Sequence, residues 1–84
     1  METIVFQETD QDILEILYGV LEIEGFRVYA LSEGGPDFLG VIARARPHVV
    51  MLDYRLSGEE CVRLCRDIKT RYPHIMIQPI SKLH

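Results

Sequence analysis

Asp53 ends the run His48-Val49-Val50-Met51-Leu52-Asp53, four apolar residues in a row closed by one acid. Such a run reads as a strand buried on both faces. A buried parallel strand that delivers a carboxylate to its C-terminal end has a chemical meaning, because ligands of open α/β sheets bind just beyond those ends. Asp also favours caps and turns, so the same residue reads equally as a loop acid capping the next helix. Glu8-Thr9-Asp10, polar and acidic, follows the run Thr3-Ile4-Val5-Phe6-Gln7.

Other reactive residue types form no constellation. Cys61 and Cys65 are the only cysteines. Their i,i+4 spacing suits two small hydrophobes on one helix face better than a disulfide or a metal pair. That usage fits a reducing, cytoplasmic setting. His48, His74 and His84 are scattered and read as strand-flanking or tail residues. Gly34-Gly35-Pro36 is a turn signal without the further glycines of a phosphate loop. No Ser/His/Asp set or metal-ligand cluster is visible, so no enzymatic activity is expected.

The elements that position Asp53 follow from periodicity. Residues 3–7 are β-branched and aromatic, a first strand. Thr9 or Asp10 caps a helix whose Ile13, Leu14, Leu17, Val20 and Leu21 form an apolar face, widened by Ile16 and Ile23. Gly25 stops it. Residues 26–31 form a second strand. Pro36 fits the first position of a helix carrying Phe38, Leu39, Val41, Ile42 and Ala45, and Arg46-Pro47 ends it. After the strand at 48–53, Glu59 and Glu60 open a third helix at its favourable end. Cys61, Leu64, Cys65 and Ile68 face inward, with Val62 beside them; Arg63, Arg66, Lys69 and Arg71 face solvent. Tyr72-Pro73 breaks this helix. Residues 74–78 make a fourth strand, whose ladder weakens at Pro79 for want of an N–H. Strands alternating with helices predict right-handed crossovers and a mostly parallel sheet.

At 84 residues the chain reads as one domain or a piece of one, residues 1–84, with a thin core. Hydrophobic residues make up 48 %, which suits a globular protein. The net charge of −4 argues against general nucleic-acid binding. Nothing approaches a membrane-spanning run. The charge is uneven: residues 1–43 hold nine acids and one base, Arg27, and residues 44–84 hold four acids and eight bases. Scatter over the surface, or self-complementarity, explains this without a dedicated basic site.

In combination, four segments resemble the receiver domain of response regulators. They are Ile4-Val5-Phe6-Gln7-Glu8-Thr9-Asp10-Gln11-Asp12-Ile13-Leu14, Leu21-Glu22-Ile23-Glu24-Gly25-Phe26-Arg27-Val28, Arg46 through Gly58, and Leu64-Cys65-Arg66-Asp67-Ile68-Lys69. The resemblance implies a flavodoxin-like, three-layer α/β sandwich of strand order 2-1-3-4-5. It also implies that Asp53 accepts a phosphoryl group from a histidine kinase. Mg²⁺ would offset the anionic repulsion of that attack, held by Glu8, Asp53 and the backbone carbonyl of Arg55.

Departures from the family pattern shape the expectation. Thr9 stands where the main metal-binding acid belongs, and Asp10 next to it is a weaker substitute. The family's switch hydroxyl falls on Gln78 or Pro79, which have none. The sheet is expected to have four strands, without the family's C-terminal strand and helices. A second alignment sets Ile80-Ser81-Lys82 at the end of the family's fifth strand, which would make Lys82 the phosphate-binding lysine. Two functions follow. One is a degenerate receiver in a two-component phosphorelay that acts by protein–protein interaction. The other is a phosphoacceptor on Asp53 with a weakened Mg²⁺ site. Ile75, Met76 and Ile77 are expected to lie uncovered beside an open strand edge. A homodimer or a tight partner is expected to cover them, and the resemblance implies a histidine kinase or another signalling protein as a partner.

Overall fold

The computed structural model describes residues 1–32, 37–53 and 58–80, with the side chains of 58–60 left aside. The order is β1 (Thr3–Gln7), α1 (Gln11–Ile23), β2 (Arg27–Leu31), α2 (Phe38–Ala45), β3 (Val49–Asp53), α3 (Gly58–Arg71) and β4 (Met76–Ile80). The strands lie in the order β2-β1-β3-β4, and every neighbouring pair is parallel. This is a flavodoxin-like α/β arrangement, and its sheet is wholly rather than mostly parallel.

Parallel neighbours need crossover helices, and right-handed crossovers decide where each helix goes. The step from β1 to β2 runs one way across the sheet; the steps to β3 and β4 run the other. So α1 lies alone on one face, and α2 and α3 share the opposite one. The main core is on the shared face. Val5, Val50 and Leu52 of the sheet meet Phe38 and Ile42 of α2, Ile68 of α3, and Ile75. The alternate residues Ile4 and Phe6 point to the α1 face and are also buried.

Local chemistry sets the helix ends. Asp10 caps α1: its Oδ1 accepts the amides of Asp12 and Ile13 at 3.0 and 3.2 Å. Gly25, at φ +94°, lets the chain turn out of the helix. Arg46 ends α2 in the left-handed region, φ 50° and ψ 59°, where pre-proline sterics alone predict extended backbone. That conformation costs an L-residue roughly 1–2 kcal/mol. The Arg46 N–H bond to the Ile42 carbonyl and the burial of Pro47 accompany it. His48 is the strand-flanking residue expected, its Nδ1 accepting the Thr3 amide at 3.0 Å. Lys69 ties the end of α3 to the next strand by donating to the Ile75 carbonyl at 2.7 Å.

Two expectations are corrected at β4. The strand lies two residues later than its apolar pattern predicts, and it contains Pro79. The Met76 N–H donates to the His48 carbonyl at 3.0 Å. Alternation then aims the N–H groups of Gln78 and Ile80 at β3, and the Ile77 and Pro79 positions at the open edge. Pro79 therefore removes a donor from the edge and none from the ladder, which is how edges resist further pairing. Second, Ile75 is buried in the core and Ile77 half-buried against it, leaving only Met76 of the three exposed. Further uncovered apolar surface lies on α1, at Ile16, Val20 and Ile23.

Ile68 has no solvent exposure and packs in the core, whereas Val62 of the same helix is 57 % exposed. Ile68→Ala should cost about 2–5 kcal/mol, a large share of the roughly 5–15 kcal/mol typical of a domain. Val62→Ala should stay within about 0.5 kcal/mol of the parent. Urea denaturation of both variants measures the contrast.

Candidate functional site

The strand ends meet where the register predicts. Gln7 of β1 is opposite Leu52 of β3, so the next residues, Glu8 and Asp53, are neighbours on adjacent parallel strands about 4.8 Å apart. Both are fully buried. Two dry carboxylates side by side repel and lose hydration, so the fold must supply donors.

Several donors converge. Thr9 gives its hydroxyl to Asp53 Oδ2 at 2.9 Å, and its amide lies 3.5 Å from the same oxygen. The Asp10 amide donates to Glu8 Oε2 at 2.9 Å. It belongs to the cap of α1, so the positive end of that helix dipole lies beside Glu8. Gln7 fixes the backbone between them. Its Oε1 accepts the Asp53 amide at 3.3 Å, and its Nε2 donates to the Ser32 carbonyl at 3.5 Å. The Glu8 amide donates to the Leu31 carbonyl of β2 at 2.9 Å. Three strands thus hold one small polar centre.

The structure brings together Glu8, Thr9 and Asp53 and turns Asp10 elsewhere. Asp10 was the substitute metal ligand, but its carboxylate is occupied as the α1 cap. Arg55 and Lys82, the other residues expected to bind metal and phosphate, lie outside the described residues. The residue opposite Asp53 on β4 is Ile80, not Gln78 or Pro79. The next residue in sequence, Ser81, also lies outside the described residues. Gln7 escaped the sequence reading, although a lone carboxamide closing an apolar strand was a usable sign.

Mg²⁺ favours near-octahedral oxygen donors, commonly one or two carboxylates with waters and phosphate oxygens. Glu8 and Asp53 supply two carboxylates, and a hydroxyl that donates to one of them takes the third place. Among the described residues, no three His, Cys, Asp or Glu side chains are grouped to hold a metal ion. No helix among the described residues is long and apolar enough to cross a membrane.

Cys61 and Cys65 are free and half-buried on α3. Burial, and then the adjacent Cys61, push the Cys65 thiol above its ordinary range. No known family model matches the chain.

Two outcomes test this account. Thr9→Val removes a hydroxyl donor from a buried carboxylate and should lower stability by about 1.5–3 kcal/mol in urea denaturation, whereas Thr9→Ser should retain most of it. A raised thiol pKa leaves less thiolate near neutrality. Cys65 should therefore alkylate more slowly than a free model thiol at pH 8, and its rate should keep rising above pH 9. Mass-resolved labelling with iodoacetamide follows both.

Proposed function

We propose that the chain is a receiver-like signalling domain of degenerate type, acting by protein–protein contact within a two-component system. The Thr9 hydroxyl bound to Asp53 Oδ2 at 2.9 Å carries this reading. In the receivers that the sequence resembles, an acid at the Thr9 position brings the cation, and the cation makes Asp53 a usable phosphoryl acceptor. A hydroxyl brings no charge. It gives its hydrogen to the acceptor carboxylate itself, and Asp10 is committed to capping α1. The acidic strand end is then held by protein donors, as a structural centre. The partner in this reading is a histidine kinase or another cytoplasmic signalling protein.

A second reading keeps Asp53 as a phosphoacceptor with a weak Mg²⁺ site. The register that sets Ile80 opposite Asp53 favours it, because the next residue, Ser81, then matches the family's switch hydroxyl in sequence position.

Intact mass after incubation with a small-molecule phosphodonor and Mg²⁺ separates the two. The parent chain and its Asp53→Asn variant should both keep their mass. Thr9→Asp, which restores the missing acid, should gain one phosphoryl group, and Thr9→Asp combined with Asp53→Asn should not. A phosphoryl group gained by the parent and lost with Asp53→Asn would put the second reading in place of the first.

A further inference from the structure

The α1 face of the sheet is covered unevenly. No residue of α1 is fully buried, and Met76 and Gln78, which β4 presents on that side, are exposed. Between the helix and the β3–β4 side of the sheet runs a groove of about 370 Å³, walled by Ile13, Ile16, Leu17 and Val20, with Met51, Pro79 and Ile80 across from them. The four α1 residues are spaced i, i+3, i+4, i+7, so they form one ridge along the helix. Ile16 and Val20 remain 66 % and 51 % exposed. Gly19 borders them. A Cβ there would meet nothing within 4 Å, so no contact inside the chain explains a mid-helix residue that weakens a helix.

Charge narrows the occupant. α1 exposes Asp12, Glu15 and Glu22 and carries no base. A second copy docking by two-fold symmetry would set these acids against themselves. The exposed bases Arg63 and Arg66 belong to α3, on the other face of the sheet, and cannot join such a contact.

We propose that this groove seats an amphipathic helix of a protein partner, its apolar stripe on Ile16 and Val20 and its Lys or Arg flanks against Asp12 and Glu15. A helix laid along α1 would approach closely at Gly19, in the manner of helix-in-groove recognition. This inference rests on the interaction reading above only in naming a protein as the ligand; it does not depend on the state of Asp53.

The probe is a synthetic helix of about five turns, with Leu at i, i+3, i+4 and i+7 and Lys on both flanks, titrated by fluorescence anisotropy. It should bind one to one, weaken as salt rises, and lose at least about tenfold in affinity with Ile16→Ser plus Val20→Ser. Asp12→Asn plus Glu15→Gln should also weaken it, and Val62→Ser on the opposite face should leave it unchanged. Thermal midpoints keep the exposed-site variants interpretable. Equal binding of a peptide with Glu in place of Lys would overturn the charge argument. Binding indifferent to Ile16 and Val20, or no binding at all, would overturn the site. A salt-resistant dimer in sedimentation that the Ile16 and Val20 changes dissociate would give the groove to a second copy instead. None of these outcomes reads phosphoryl gain on Asp53, so this proposal and the functional reading fail separately.

Discussion

The pairing of β1 with β3 is the constraint on which the site and much of the core depend. One register places Val5 beside Val50 on the main core face and Phe6 beside Met51 on the other. Carried two residues further, it places Glu8 beside Asp53. A slip of one residue would move every side chain of a strand to the opposite face. The apolar core therefore locks the register, and the register delivers both carboxylates to one spot. The hydrogen bonds that Thr9 and Asp10 donate then make that spot tolerable for buried charge, and Gln7, which accepts the Asp53 amide, fixes the backbone beside it.

The two faces of the sheet are unequal for a topological reason. Two of the three crossovers run in the same direction, so two helices share a face and the third stands alone. The shared face closes over Phe38, Ile42, Ile68 and Ile75. On the other, α1 is apolar over a wider arc than it buries, and acidic beyond that arc. Small domains bury a limited fraction of their surface, and here the shortfall is concentrated beside one helix. The open edge of β4 is guarded differently. Pro79 withholds a donor there, which makes strand addition at that edge poor and directs attention to the face.

The strand end holds buried acids at the C-terminal edge of inner parallel strands, the place where open α/β sheets present their ligands. Beside them stands the hydroxyl of Thr9. A carboxylate that accepts a short hydrogen bond from a neutral group is stabilised where it stands.

Most of the element order was legible from the sequence alone. The β-branched runs at 3–7 and 49–53, the cap at Asp10, the stop at Gly25 and the breaks at Pro47 and Pro73 all carry local causes, so local reasoning reaches them. The alternation of strands and helices was enough to imply a parallel sheet, because chirality leaves few other ways to connect them. Three matters needed the tertiary structure. The bounds of β4 depend on which backbone groups meet β3, and apolar pattern alone misplaced them. Whether Ile75 is covered and Ile16 is not depends on which face each crossover takes. The partner of the Asp53 carboxylate depends on a contact across 44 residues, since hydrogen bonding at a strand end is decided by the neighbouring strand. Thr9 was visible from the start as a departure from an acidic pattern; only the fold made it the donor to Asp53.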